Sequence, residues 1–135
     1  MSKAEYNRNL IREYLGAFER GDTEKGKSYW AKDARFFQAG HSHLAGWYEG
    51  PDDFMDRWIS SVVDMTDGRW AVNADPEFLV MGEDGCVVII DEHMIRSGKG
   101  RIDTKKLVVY EIEGDKVKGC RMYDGDQGAI DAFWS

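Results

Sequence analysis

A chain of 135 residues, 32% of them charged and 42% apolar, is long enough for one domain that buries about two thirds of the surface its unfolded form exposes, so neither a disulfide nor a metal is needed to keep it folded. Its net charge of −7 argues against nucleic-acid binding, which needs a basic face to neutralise phosphates, and disfavours an acidic small-molecule substrate. No window nears the ~18 consecutive apolar residues of a membrane span, and Met1-Ser2-Lys3-Ala4-Glu5 leads into no apolar signal run. The expectation is a cytoplasmic protein.

Tyr6, Leu10, Ile11, Tyr14, Leu15 and Phe18 recur at helical spacing; Gly21-Asp22 stops that helix and caps a short second one reaching Trp30. Ala34 to Gln38 reads as a strand, and Gly40 to Gly50 as an irregular loop, unusually aromatic, carrying His41, His43, Trp47 and Tyr48. Pro51 suits a first helical position and Asp52 and Asp53 the positive end of a helix dipole, while Phe54, Trp58, Ile59, Val62 and Met65 form one apolar face of this third helix. Asp67-Gly68 ends it. Trp70, Val72 and Ala74 alternate with polar residues before Pro76 interrupts and Phe78 to Met81 resume, which predicts a kinked or edge strand. A meander follows: a strand from Cys86 to Ser97, a Gly98-Lys99-Gly100 turn, a strand to Glu113, an Asp115 turn and a third strand to Tyr123. Cys86 and Cys120 lie inside these strands without CxxC spacing and read as reduced core thiols. The tail from Asp126 to Trp134 reads as a capped helical turn or two. The order predicts a single α+β domain over residues 1–135: a cone with a central pocket, three helices of the N-terminal half packed on a curved antiparallel sheet.

Asp91 and His93, two apart in a strand, point to one face, where the carboxylate could orient an imidazole base; that face either lines the pocket or forms a dimer interface. Glu92 and Arg96 point the other way and read as partners for cross-strand charges, and Arg101, Asp103, Lys105 and Lys106 as a solvated rim. His41-Ser42-His43 with Glu49 superficially resembles a His-x-His…Glu ligand set, but the chain runs on through Gly50-Pro51 into a helix. These are therefore read as loop histidines at the pocket mouth, and no metal is expected. Trp30, Phe36, Trp47, Tyr48, Trp58, Tyr110 and Tyr123 are more large rings than a core of this size needs, and suit a pocket for a flat or cyclic apolar molecule. Strands apolar on both faces predict a homodimer through the outer face of the meander.

Tyr14-Leu15-Gly16-Ala17-Phe18 before Gly21-Asp22, Ala31-Lys32-Asp33-Ala34, Gly40-His41-Ser42-His43-Leu44-Ala45-Gly46, Tyr48-Glu49-Gly50, and Asp126-Gln127 with Asp131-Ala132-Phe133-Trp134 occur in an order that resembles the nuclear transport factor 2-like superfamily. Within it the resemblance is to the SnoaL-like polyketide cyclases and the ketosteroid isomerases. It implies a cone-shaped fold, a small-molecule pocket and, in catalytic members, cofactor-independent isomerisation, cyclisation or dehydration of a hydrophobic cyclic metabolite. Tyr14 matches the tyrosine that donates to a developing enolate oxygen in the isomerases. Their general base falls on Gln38, which cannot accept a proton at neutral pH, and their second oxyanion donor falls on Val108. The cyclase carboxylate falls on Met122, with Asp124 two residues on and on the same strand face. The candidate set is then Tyr14, Asp91, His93 and Asp124 for chemistry, with Trp30, Phe36, Gln38, His41, His43, Tyr48, Trp58, Tyr110 and Met122 as ligand contacts. The alternative, favoured by Gln38, Val108 and Met122, is a noncatalytic ligand-binding or dimerisation module.

Overall fold

In the computed structural model, which describes residues 1–135, the helical spacing of the N-terminal stretch becomes α1 (Lys3–Glu19), with Leu10, Ile11, Tyr14 and Leu15 on its buried face. The Ser2 hydroxyl caps it by accepting from the Glu5 amide. Gly21, with φ at 78°, takes the left-handed conformation that ends the run, and Asp22 caps α2 (Thr23–Lys27). Trp30, expected at the end of that helix, instead opens strand β1 (Trp30–Gln38).

Part of the stretch expected to be irregular is ordered: β2 (Gly46–Glu49) pairs antiparallel with β1, setting Phe36 opposite Tyr48 and Phe37 opposite Trp47. Four residues are too few for an alternation to stand out in sequence. The third helix, α3, covers residues 51–66; it is α-helical over Pro51–Asp53 and Ser60–Thr66 and π-helical over Phe54–Ile59. The wider turn loosens the main-chain ladder, and two hydroxyls bond to its carbonyls, Ser60 Oγ to Met55 at 2.9 Å and Ser61 Oγ to Arg57 at 2.6 Å.

Strands β3 (Trp70–Val72) and β4 (Glu77–Met81) lie end to end along one edge of β5 (Gly85–Arg96). Hairpins then lead through β6 (Gly100–Glu113) to β7 (Lys116–Asp124), and α4 (Gln127–Trp134) closes the chain. The sheet has seven strands in the order β2-β1-β7-β6-β5-β3, with β4 also on β5. β1 runs parallel to β7, so the sheet is mixed, a correction to the all-antiparallel expectation. Neighbouring parallel strands need a long crossover, and here everything between β1 and β7 serves as one, so no turn signal announces the pairing.

Register shifts in the β1–β7, β4–β5 and β6–β7 pairs bend and twist the sheet. The four helices lie in its concavity, and one apolar cluster joins α1, α3 and α4 to the inner sheet face. Arg96 clamps the end of α4 by donating to the carbonyls of Phe133 at 2.7 Å and Ser135 at 3.1 Å. No helix is long and apolar enough to cross a membrane.

At Gly85 a Cβ would lie 1.9 Å from the Tyr110 carbonyl oxygen, a main-chain atom that cannot step aside. Gly85→Ala is therefore expected to lower stability by about 1–3 kcal/mol. In urea titration this should appear as a reduced midpoint with an unchanged slope.

Candidate functional site

The alternation that points Ile90 and Met94 inward on β5 also points Glu92 inward, and on β6 it carries Lys106 inward beside Val108. Both charged side chains are almost wholly enclosed, at 1% and 3% exposure. Lys106 Nζ lies 3.2 Å from Glu92 Oε1 and 3.4 Å from Oε2, the latter hydrogen-bonded. The Trp70 indole N–H donates to Glu92 Oε2 at 2.8 Å, and the ammonium sits 4.9 Å from the centre of the Trp58 ring. Asp124 faces Lys106 across the β6–β7 pairing. Its Oδ2 accepts from the Gln38 amide at 2.9 Å, and Gln38 Oε1 in turn accepts from the Trp58 indole at 3.3 Å. Two carboxylate oxygens, Glu92 Oε1 and Asp124 Oδ1, are buried without an aligned donor.

Burial pulls the Lys106 ammonium toward neutrality, but Glu92 and Asp124 together outweigh it, so its pKa is raised and the group stays charged. Asp124 responds in the opposite sense to the same environment: desolvation raises its carboxyl above the ordinary range, and Lys106 offsets that only in part.

In front of the ion pair lies a cavity of about 70 Å³ whose wall is otherwise apolar, with rings from Tyr14, Phe18, Trp30, Phe54, Trp58, Trp70 and Tyr110. The π-helical turn supplies the roof. It sets Phe54 in stacks with both Phe36, at 4.2 Å and 7°, and Trp58, at 5.0 Å and 14°, and brings Ile59 to the rim. A cavity of roughly 150 Å³ is needed to hold a benzene ring, so a ring-sized ligand requires the half-buried rim residues Phe18, Ile59, Trp70 and Val72 to move apart. A wider groove of about 420 Å³ crosses the outer sheet face between Arg35, Trp47, Glu111 and Arg121. It is lined by charges of both signs.

Of the residues proposed from sequence, Tyr14, Trp30, Trp58, Tyr110 and Met122 line the cavity. Gln38 and Asp124 form the polar layer behind Trp58. Phe36 lies one layer back against Phe54, and Tyr48 buttresses the same ring while its hydroxyl donates to the Leu44 carbonyl at 2.6 Å. His41 and His43 are exposed on the β1–β2 connection and not at the cavity rim, where His41 offers only its main-chain N–H to Asp131. Asp91 and His93 do share a face, but it is the outer one, because Glu92 between them takes the inward position. Asp91 pairs with Lys105 at 2.7 Å and His93 Nδ1 with Asp103 at 2.7 Å. The four belong outside the site. No three His, Cys, Asp or Glu side chains are grouped to hold a metal ion. Glu92, Lys106 and Trp70 are the site residues that sequence reading assigned elsewhere; the cue was Glu92 at i±2 from two apolar residues of the buried face.

Removing one partner of a buried ion pair strands the other, so Lys106→Met is expected to cost about 3–5 kcal/mol. The double variant Glu92→Gln/Lys106→Met should lose less than the sum of the singles in a denaturation cycle. Asp124 has the opposite sign. Desolvation holds its folded-state pKa above the ordinary aspartate value of 3.8, so the folded chain holds a proton that the unfolded chain releases, and stability is lost as pH rises through that window. Asp124→Asn, which keeps an acceptor for Gln38, should therefore melt higher than the parent at pH 7. The gap should close as pH is lowered toward 3.8.

No protein-family model matches the chain. An uncharacterised protein of Mycobacterium tuberculosis is 25% identical over 128 residues, 94% of this chain and 95% of its own length. Among solved structures, Bal32a from a soil-derived mobile gene cassette superposes with a TM-score of 0.86 at 24% identity, covering 99% of this chain and 100% of that one. A nuclear transport factor 2-like protein of Burkholderia pseudomallei gives 0.81 at 21% identity, over 100% and 99% of the two chains. A Catenulispora acidiphila protein with a ketosteroid isomerase-like fold, solved in complex with trimethylamine, gives 0.67 at 9% identity over 84% and 83%. The curved mixed sheet with helices in its concavity is the nuclear transport factor 2-like fold, and this chain has it.

Proposed function

We propose that this protein binds a hydrophobic cyclic small molecule in the concave cavity, in the cytoplasm and without a cofactor, and that the Glu92–Lys106 pair carries proton-transfer chemistry of the isomerisation, cyclisation or dehydration type. The observation that carries the reading is an ion pair in the wall of an otherwise apolar, aromatic cavity. Apolar residues of similar size would fold there at no greater cost, and charged groups converging on such a cavity suit a site of chemistry. Glu92 is the base: an oxygen takes a proton from an acidified C–H of the ligand and returns it to another position. Lys106 is the counter-charge to that carboxylate within an apolar wall. The fold-mate solved with trimethylamine supports small-molecule uptake by this architecture.

A second reading, ligand binding without turnover, is favoured by Gln38, Val108 and Met122, which stand where the enzymes this chain resembles keep titratable groups. Exchange in D₂O separates the two. Saturable quenching of Trp30, Trp58 and Trp70 fluorescence by 1-indanone is expected under both readings. Accelerated deuterium incorporation next to its carbonyl is expected only under the first, and Glu92→Gln should abolish it while His93→Gln should not. Quenching with no accelerated exchange selects the binding module.

We assign the outer sheet face to a second copy of the chain. Phe37, Val87, Ile89, Leu107 and Val109 form a half-exposed apolar stripe there, of the kind a sheet covers in a dimer. Light scattering at micromolar concentration should report a dimer, and Val109→Arg should shift it to monomer; a monomeric parent protein would remove this assignment.

A further inference from the structure

Three of the seven large apolar side chains that the fold leaves exposed are consecutive: Leu79, Val80 and Met81, at 47%, 54% and 47%. They lie on β4, which pairs with β5 along one side only. Its other side is an open sheet edge, and such an edge presents unpaired main-chain N–H and C=O groups to any extended chain that can reach them. Single exposed apolar residues are ordinary, but a run of three on an edge strand is what sheet edges normally avoid. The strand is also held extended by α1. Glu19 Oε2 accepts from the Ala74 amide at 2.9 Å just before it, Arg12 reaches Asp75 at 3.6 Å and the ring of Phe78 at 5.4 Å, and the buried Asn7 amide donates to the carbonyls of Gly82 and Glu83 at 2.9 and 3.0 Å just after it. A strand fixed at both ends has already lost the freedom that pairing would cost, so docking orders only the partner.

Charge decides what fits this edge. Asp75, Glu77, Glu83 and Asp84 flank the apolar run, and all four are exposed; of these only Asp75 has an ion-pair partner. Antiparallel pairing of two copies of β4 would set Asp75 opposite Glu83 when centred on Leu79, and Glu77 opposite Glu83 when centred on Val80. Like charges directly opposite one another destabilise a strand pair. The bulge between Phe78 and Val80, which leaves Leu79 without a partner on β5, further spoils a regular self-pairing. These features disfavour a second copy of the chain and leave the edge complementary to a strand of opposite charge.

We infer that the free edge of β4 is a docking site for an extended segment of another protein, with alternating apolar residues at its centre and Lys or Arg at its ends. The segment adds a strand to the sheet: main-chain hydrogen bonds hold it, Leu79, Val80 and Met81 cover its apolar side chains, and the acidic residues at both ends of β4 meet its charges. The site lies outside the cavity and does not depend on what the cavity binds. Val80 sits beside Val87 of the outer-face stripe, so the two surfaces adjoin and the test must separate them.

The probe is the fluorescein-labelled peptide Lys-Arg-Val-Thr-Val-Thr-Val-Arg-Lys, titrated with the full chain and read by fluorescence polarisation. Two controls run beside it: the same peptide with Glu at every basic position, and one with proline in place of the central valine, which cannot donate to a ladder. The basic peptide is expected to bind saturably at micromolar protein and each control roughly tenfold or more weakly. Hydrogen exchange followed by mass spectrometry should slow over residues 77–81 of the parent protein when the basic peptide is bound. Leu79→Lys and the double variant Glu83→Lys/Asp84→Lys should each weaken binding several-fold, whereas Val109→Arg on the outer face should leave it unchanged. Absence of saturable binding, equal binding of the basic and acidic peptides, or protection that appears elsewhere than residues 77–81 would each overturn the inference. So would a dimer that Leu79→Lys converts to monomer in light scattering, since that would give the edge to a second copy. The exchange measurement is made on the parent protein, so the outcome does not depend on any variant folding.

Discussion

The Lys106–Glu92 pair is the constraint around which the concave side of the sheet is arranged. Two opposite charges taken out of water are tolerated only when each is met by further polar partners. The fold provides these from three directions: an indole N–H from β3, an aromatic face from α3 and a carboxylate from β7. Each partner belongs to a different element, so satisfying one ion pair also fixes how the edge strand, the helix above the sheet and the final strand sit relative to one another. Gln38 extends the arrangement to β1 by holding Trp58 with one end of its amide and Asp124 with the other.

This arrangement gives the cavity a division of labour. Its sheet side near Lys106 is ionic, its far end carries neutral hydroxyls, and the space between is hydrocarbon and ring. Such a partition favours a molecule with an apolar body and graded polarity over one that is simply greasy or simply charged. The roof hangs from a helix whose central turn departs from α geometry.

Much of the architecture was legible because local chemistry and global fold agree. The apolar stripe of α1, the glycine turns between β5, β6 and β7, and the proline break between β3 and β4 each name their element without reference to the rest of the chain. The site was less legible, for two physical reasons. Val87 and Ile89 make the outer face of β5 nearly as apolar as the inner one bearing Val88 and Ile90, so alternation alone could not say whether Asp91 and His93 or Glu92 faced the helices. The packing of Trp70 and Trp58 against Glu92 and Lys106 decides it. The parallel pairing of β1 with β7 joins residues about eighty positions apart, Gln38 beside Met122, and no local pattern encodes that. His41 and His43 illustrate the converse: chemically suggestive side chains whose loop carries them into solvent.

The π-helical turn has a consequence for how this protein tolerates change in its length. A π turn holds one more residue than the α turn it replaces, so residues 54–59 amount to a stored insertion. Deleting one exposed residue there, such as Asp56, would let the segment relax into plain α-helix without breaking the chain's path. The rotation of about 100° that removing a residue imposes on an unbroken α-helix would be absorbed here, because the turn gives up its extra residue and the flanking segments keep their phase. Phe54 and Trp58, brought from four positions apart to three, would still share the face that meets the sheet. A deletion that elsewhere on the helix would swing its far half out of register is therefore tolerated at this one turn, which makes it a natural point for related chains to differ in length while keeping the same roof over the cavity.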